Sequence, residues 1–175
     1  HSLSPLLQLR LATPATLIDI GRVAERTGVS VAAGALRIGA LTTHAELAAS
    51  AEVREHAPGL AQAAGLIGDP AVRNRGTVGG NIAHADPASD LPTVLVALGA
   101  TVRMVGPRGE RSVAAGEVFR GLMETALAED ELLTAAELSL TAAARNSAYA
   151  KFPHPASRYA VIGAAAALTV DAGAC

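Results

Sequence analysis

The sequence has few of the residues on which several common protein functions depend. Its 175 residues include one cysteine, Cys175, no tryptophan and only 2% aromatic residues. A lone cysteine excludes an internal disulfide, a four-cysteine zinc site and a cysteine-held iron–sulfur cluster. It also predicts a reducing compartment, and therefore a cytoplasmic protein. The scarcity of aromatic side chains argues against a platform for stacking single-stranded nucleic acid.

Strong charge and long apolar runs are missing as well. The formal net charge is -2 with 17% charged residues, so the sequence carries no basic footprint for nucleic acid. The longest apolar run, residues 160–170, is interrupted by Gly163 and is too short for a transmembrane segment. Half of the residues are hydrophobic, which excludes disorder and suits one compact domain, or one domain with a fragment of a second.

Hydrophobic periodicity predicts a mixed arrangement of helices and strands. Thr43 and Glu46 have the spacing of a capping box, which predicts a helix start at His44. Because strands and helices do not alternate strictly, the pattern favours an α+β fold over a doubly wound sheet. The predicted strands are 17–20, 29–32, 36–40, 101–105, 132–140, 147–152 and 160–170, and the predicted helices are 44–56, 58–67, 90–98 and 115–119.

A glycine-rich segment, predicted to be a loop over residues 68–87, contains the most informative motif. It includes the run Gly76-Thr77-Val78-Gly79-Gly80-Asn81. Successive exposed N–H groups in such a turn form an anion-binding nest, and the Thr77 hydroxyl and Asn81 amide add further polar groups. From the residues alone, this composition suits either a purely structural tight turn or a pyrophosphate cradle. Neither a P-loop nor a GxGxxG fingerprint is present.

Several motifs occur together in the order typical of one family. The sequence reads LRLATPATLIDI at 9–20, IGALTT at 38–43, RNRGTVGGNI at 73–82, ADPASDLP at 85–92 and YAKF at 149–152. Together these motifs resemble the FAD-binding medium subunit of molybdenum hydroxylases, of the carbon monoxide dehydrogenase and xanthine dehydrogenase type. The resemblance extends nearly from end to end.

The resemblance implies a division of the chain. Residues 1–143 would form an FAD-binding domain of the PCMH (vanillyl-alcohol oxidase-like) type, and residues 144–175 the beginning of a C-terminal flavoprotein domain. The N-terminal βαβ subdomain, with the Ala-Gly-Gly half of a first phosphate loop, would precede His1. Most of the C-terminal domain would follow Cys175.

The same resemblance implies a set of FAD-binding residues. His1 and Ser2 would belong to the first phosphate loop, and Thr77, Val78, Gly79, Gly80 and Asn81 would form the second. Asp90 would position the cofactor, Ile67 and Leu132 (or its neighbour Leu133) would lie near the flavin, and Lys151 would lie near the isoalloxazine ring. From the residues alone, Asp90 is equally suited to helix capping, Lys151 to an exposed strand edge, and the apolar residues to the core.

Other constellations of reactive residues are incomplete. His44 and Glu46 match half of a zinc deaminase motif, but no P-C-x-x-C follows. His84 and Asp86 lack a third metal ligand of suitable spacing. The sequence therefore predicts neither a metal site nor a catalytic acid–base residue.

By resemblance, the chain is expected to hold FAD and pass electrons from partner subunits to an external acceptor, quinone or NAD. The partners would be a large subunit with the molybdenum cofactor and a small subunit with [2Fe–2S] clusters, in a heterotrimer. Two alternatives remain from the residues: a stand-alone FAD-dependent oxidase module, and a non-catalytic α+β interaction subunit whose glycine turn is structural.

Overall fold

A five-stranded antiparallel sheet covered by helices forms the centre of the protein. The structure is a computed structural model that describes residues 2–169. The helices are α1 (Leu3–Gln8), α2 (His44–Ala49), α3 (Ala51–His56), α4 (Pro58–Gly65), α5 (Pro70–Arg73), α6 (Val78–His84), α7 (Asp90–Ala97), α8 (Ala115–Val118) and α9 (Ala142–Arg145), with a 3₁₀ helix at Ala24–Arg26. The strands are β1 (Val29–Ala32), β2 (Ala35–Gly39), β3 (Thr101–Gly106), β4 (Gly109–Ala114), β5 (Phe119–Gly121), β6 (Glu124–Thr125), β7 (Leu132–Ser139), β8 (Ser147–Pro153) and β9 (Ala160–Ala167).

The main sheet has the strand order β1-β2-β7-β3-β4, and each neighbouring pair is antiparallel. Side chains alternate between its two faces, as the period of a strand requires. Ile38, Ala136 and Val102 lie in one cross-strand row on the buried face. Arg37, Glu137 and Arg103 lie on the opposite face, where they form ion pairs.

The helical layer supplies the other half of the core. Leu47 of α2, Leu60 of α4 and Leu91 of α7 are each at most 1% exposed and belong to one cluster with the inner face of the sheet. The separate β8–β9 hairpin packs against α4 and α7. This packing brings the inward face of β8 next to the first turn of α7.

The prediction of a strand over residues 17–20 was wrong. The segment has no regular secondary structure, and Ile18 is 83% exposed. The Asp19 carboxylate accepts a hydrogen bond from the Gly21 N–H at 2.8 Å. Such an Asx turn satisfies the backbone locally and competes with an extended ladder.

The segment 44–56 forms two helices instead of the single predicted helix. Ser50 is extended between α2 and α3, and its hydroxyl accepts the Val53 N–H at 3.3 Å. Ser50 is therefore an N-cap, and the second helix starts there. The capping box at Thr43 and Glu46 is confirmed by both of its reciprocal hydrogen bonds.

The glycine-rich segment is also more ordered than the predicted loop, because it contains α5 and α6. The side chain of Asp69 caps α5 by accepting the Val72 N–H, and that of Thr77 caps α6 by accepting the Gly80 N–H. The caps outweigh the low helix propensity of glycine in these short helices. The α+β class itself is confirmed.

Candidate functional site

A cavity of about 520 Å³ opens between α5, α6, the first turn of α7 and the β8–β9 hairpin. Cofactor and ligand sites in proteins range over about 300–1,000 Å³, so the volume suits a large ligand or part of one. Its polar and charged lining residues are Ser2, His44, Thr77, Asn81, His84, Asp86, Ser89, Asp90, Lys151, Ser157, Arg158 and Tyr159.

The glycine turn does not form the nest of free N–H groups that its sequence predicts. The Val78 N–H donates to the Thr42 carbonyl at 2.9 Å and the Gly79 N–H to the Ala40 carbonyl at 2.7 Å. The Gly80 N–H donates to Thr77 Oγ1 at 3.1 Å. These three N–H groups are therefore committed to partners within the protein.

Close packing explains the presence of glycine at two positions of the turn. A Cβ on Gly79 would lie 2.6 Å from the Ala40 Cβ, and a Cβ on Gly76 would lie 2.8 Å from the His44 ring. Both distances are shorter than carbon atoms tolerate. The glycines thus allow α6 to approach the end of β2 and allow His44 to fit beside the turn.

Only one of the two polar atoms of the Asn81 side-chain amide has a hydrogen-bond partner among the described residues. Its Nδ2 donates to the Ser89 hydroxyl at 3.1 Å, whereas its Oδ1 is buried without a partner in the described part of the chain. An unpaired buried polar atom costs free energy. Because Asn81 lines the cavity, a donor group of a bound ligand would remove this cost.

His44 is a second cavity residue with an unpaired buried atom. The residue is 3% exposed, and its Nδ1 has no partner among the residues that the structure describes. Burial lowers the pKa of His44 from 6.5 to about 4, because the charged imidazolium is poorly solvated there. The ring is therefore neutral near pH 7 and has one N–H to donate.

Asp90, Lys151 and Tyr149 form a buried network beside the cavity. Lys151 Nζ lies 2.8 Å from Asp90 Oδ2, and the two side chains are 3% and 5% exposed. The Tyr149 hydroxyl donates to Asp90 Oδ1 at 2.6 Å. Burial and the Asp90 carboxylate both raise the pKa of Tyr149, so its hydroxyl keeps its proton. Lys151 is thus not an exposed strand-edge lysine, and Asp90 follows the N-cap Ser89 as the first residue of α7.

The cavity brings together most of the residues predicted as FAD ligands. Ser2, Ile67, Thr77, Gly80, Asn81, Asp90 and Lys151 all line it. Val78 and Gly79 are buried behind the turn. Leu132 lies at the start of β7 opposite Val105 and does not line the cavity, and Leu133 packs against the core. His1 lies outside the described residues. The roles of all these residues in FAD binding remain predictions.

Several residues of the site were not singled out from the sequence. Tyr149 is one of them, although it lies two positions from Lys151 on a strand, a spacing that places the two side chains on one face. Ser89 directly precedes α7, and the sequence around His44 indicates only half of a metal-binding motif. No group of three or more metal-ligating side chains occurs within residues 2–169, and none of the helices described there is long and apolar enough to cross a membrane.

The fold and the cavity define an α+β domain with room for a large ligand, and comparison with known proteins identifies its family. Residues 1–139 match the family described as FAD binding domain in molybdopterin dehydrogenase, so the chain belongs to that family. This result confirms the family expected from the motifs. The match ends before the β8–β9 hairpin, and the predicted domain division at residue 143 remains a prediction.

Individual relatives agree with the family assignment. The chain is 37% identical to the carbon monoxide dehydrogenase medium chain of Afipia carboxidovorans over 100% of this chain and 61% of the relative. It is 40% identical to the corresponding chain of Hydrogenophaga pseudoflava over 94% of this chain and 58% of the relative. The chain therefore spans about three-fifths of the length of these relatives.

Solved structures show the same fold. A cyanide-inactivated Cu,Mo-CO dehydrogenase superimposes with a TM-score of 0.93 at 36% identity, covering 99% of this chain and 60% of that chain. Carbon monoxide dehydrogenase from Hydrogenophaga pseudoflava, in a form that lacks the Mo-pyranopterin moiety, gives a TM-score of 0.88 at 41% identity, covering 93% and 57%. The FAD-binding fold expected from the resemblance is therefore confirmed.

Proposed function

We propose that the cavity between α6, α7 and β8 is where this protein holds FAD. The observation that carries the proposal is the convergence of an unpaired Asn81 Oδ1, the Thr77 side chain and the buried Lys151 on one cavity. The family to which the chain belongs supplies the identity of the ligand. The residues fit this ligand, since the lining offers neutral donors and acceptors together with the positively charged Lys151 and Arg158.

FAD, when bound, supplies the redox chemistry, and the chain supplies binding and orientation. Thr77 and Asn81 offer a hydroxyl and an amide to polar groups of the nucleotide. Ile67 and Val72 give the cavity part of its apolar wall and exclude water. Lys151 provides a fixed positive charge that favours a negatively charged form of the cofactor. None of these tasks requires a general acid or base.

We also propose that the protein is the FAD-carrying medium subunit of a heterotrimer in the cytoplasm. Its partners would be a molybdenum-binding large subunit and a small subunit with [2Fe–2S] clusters, and the external electron acceptor would be quinone or NAD. The names of its relatives support a role that does not depend on one substrate, since they include dehydrogenases of carbon monoxide, glyceraldehyde and caffeine. Substrate choice would then lie on the large subunit.

Visible absorption of the full-length protein, after incubation with FAD and desalting, tests the cofactor site. Thr77→Ala should lower FAD affinity about tenfold, because a hydroxyl in the cavity is lost, and Thr77→Ser should restore it. Thr141→Ala is a matched control: Thr141 also caps a short helix through its hydroxyl, but it does not line the cavity. Both alanine variants should lose about 1 kcal/mol of stability.

The proposal predicts retained flavin bands in the wild type and in Thr141→Ala, with a selective loss in Thr77→Ala. A folded but colourless wild type would contradict FAD binding and favour an interaction subunit with a structural glycine turn. Equal effects of the two alanine variants on flavin retention would contradict the assignment of Thr77 to the site.

A further inference from the structure

The buried network beside the cavity is built so that Lys151 has a fixed position. Its ammonium donates to Asp90 Oδ2 at 2.8 Å and to the Leu66 carbonyl at 3.2 Å. A lysine ammonium has three N–H groups, so these two bonds leave one. Lys151 is the only lysine of the chain and lines the cavity, where a ligand can accept the remaining bond.

The carboxylate that holds Lys151 is itself held by Tyr149. The Tyr149 hydroxyl donates to Asp90 Oδ1, while Lys151 binds the other oxygen, Oδ2. Tyr149 is 7% exposed, and Asp90 is in the first turn of α7, where a negative charge is favoured by the helix dipole. Each carboxylate oxygen thus has its own partner, and rotation of the carboxylate would break both bonds.

Gly163 on β9 makes room for this arrangement. It pairs with Lys151 across the hairpin. A Cβ at position 163 would collide with the Tyr149 hydroxyl oxygen and would lie 3.2 Å from the ring carbon Cζ. Since Gly163 has no left-handed backbone conformation, close packing explains its presence. The hairpin therefore has a glycine at the point where the tyrosine crosses to reach Asp90.

We propose that Tyr149 is a positioning residue for the flavin site: its hydroxyl fixes Asp90, and Asp90 with the Leu66 carbonyl directs the remaining Lys151 N–H to the bound FAD. This inference rests on the proposed binding of FAD in the cavity. The raised pKa of Tyr149 supports it, because the hydroxyl remains a donor over the physiological range. Gly163 contributes to the same arrangement, since its lack of a side chain leaves room for the Tyr149 hydroxyl.

Tyr149→Phe is the direct test, because it removes the hydroxyl and keeps the ring. The first readout does not need FAD: the rate at which acetic anhydride modifies the Lys151 amine, followed by mass spectrometry of its peptide in the full-length protein. Loosening of Lys151 should raise this rate about fivefold. In the FAD-loaded protein the same variant should raise the Kd for FAD severalfold and make the flavin midpoint potential more negative, because the positive charge is less well fixed.

Ser147→Ala is the matched control on the same face of β8. The Ser147 hydroxyl is buried, donates to the Ala144 carbonyl and accepts from the Gly59 N–H, but it does not contact Asp90. It should lower the melting temperature without changing the Lys151 labelling rate or the flavin potential. Equal effects of the two variants on labelling and potential would overturn the positioning role, as would a Tyr149→Phe variant identical to the wild type.

Gly163→Ala provides a second variant that leaves the tyrosine in place. The new methyl group should displace the Tyr149 hydroxyl and raise the labelling rate of Lys151 as Tyr149→Phe does. In the double variant Tyr149→Phe, Gly163→Ala, the labelling rate should be little higher than in Tyr149→Phe alone, because the colliding oxygen is absent. Additive increases in labelling would overturn the link between Gly163 and Tyr149. A wild type that retains no FAD would overturn the proposed function, whereas unchanged labelling and potential in a flavin-loaded Tyr149→Phe protein would overturn only the positioning role.

Discussion

The outer face of the main sheet and the wall of the cavity both carry paired charges, but the two regions hold them differently. On the sheet, Arg103 is 38% exposed and bridges Glu137 and Glu110 at 3.1 Å each. At the cavity, Lys151 and Asp90 are 3% and 5% exposed. Water screens the first set, whereas the second depends on its hydrogen-bond partners. Loss of a charged group should therefore lower the unfolding free energy more at the cavity than on the sheet.

The largest loss of stability is expected when one partner of the buried Lys151–Asp90 ion pair is removed and the other is kept. Lys151→Met leaves a buried Asp90 carboxylate without its counter-ion, which should cost about 3–5 kcal/mol of unfolding free energy. The triple variant Lys151→Met, Asp90→Leu, Tyr149→Phe removes all three polar partners and should recover most of that loss. Urea unfolding monitored by circular dichroism measures both. A triple variant less stable than the single one would contradict this account of the network.

The buried His44 should make the cavity region sensitive to acid. Its pKa of about 4 in the folded protein lies below the 6.5 of an ordinary histidine, so between these values the unfolded chain binds the proton and the folded protein does not. Stability should therefore fall as the pH falls from about 6.5 to 4, by on the order of 3 kcal/mol. His44→Gln should flatten this part of a stability–pH profile, and an unchanged profile would contradict the lowered pKa.

Close packing at the glycine turn predicts an effect of intermediate size. In Gly79→Ala the new methyl group would lie 2.6 Å from the Ala40 Cβ, and such overpacking costs about 1–3 kcal/mol. Gly65→Ala is the matched control, since a Cβ there meets nothing within 4 Å and Gly65 is also helical. It should be neutral or stabilising by up to about 1 kcal/mol. The melting temperatures of Gly79→Ala and Gly65→Ala, measured by thermal unfolding, distinguish the two variants. Equal changes in melting temperature would contradict the packing explanation.

The exposed pairs on the sheet should give the smallest effects. Glu110 is 54% exposed and has Arg103 as its ion-pair partner, so Glu110→Ala should change the unfolding free energy by less than about 1 kcal/mol. Even this difference should shrink in 1 M salt, because the Debye length is then about 3 Å. A larger, salt-independent loss would mean that the two charged regions do not differ in the way that their exposure indicates.

Much of the fold could be predicted from local sequence signals. The β1–β2 hairpin, α7, β3 and β7 follow from alternation or helical spacing with flanking glycines. The errors have local causes as well. Ser50 ends one helix and caps the next, and the Asp19 side chain bonds a nearby backbone N–H instead of leaving the segment free to pair. Whether a backbone N–H bonds to a nearby side chain or to another strand depends on three-dimensional geometry. Hydrophobic periodicity in the sequence carries no information about that geometry.

The candidate site was predicted less completely than the fold. The motifs identified Thr77, Asn81, Asp90 and Lys151, which the fold brings to one cavity. The sequence did not indicate that the Gly79 and Val78 N–H groups bond to the carbonyls of residues 40 and 42, because that contact joins distant parts of the chain. Tyr149 was missed as a site residue for the same reason, since its partner Asp90 is 59 positions away.

Hydrogen–deuterium exchange of the full-length protein, with and without FAD, tests most directly whether the cofactor occupies this cavity. The account predicts slower exchange on FAD addition in peptides covering residues 76–90 and 149–159. The β3–β4 hairpin, residues 101–114, lies outside the cavity lining and should exchange at an unchanged rate. Protection confined to β3–β4, or unchanged exchange in both cavity peptides under conditions where FAD remains bound, would contradict the central claim.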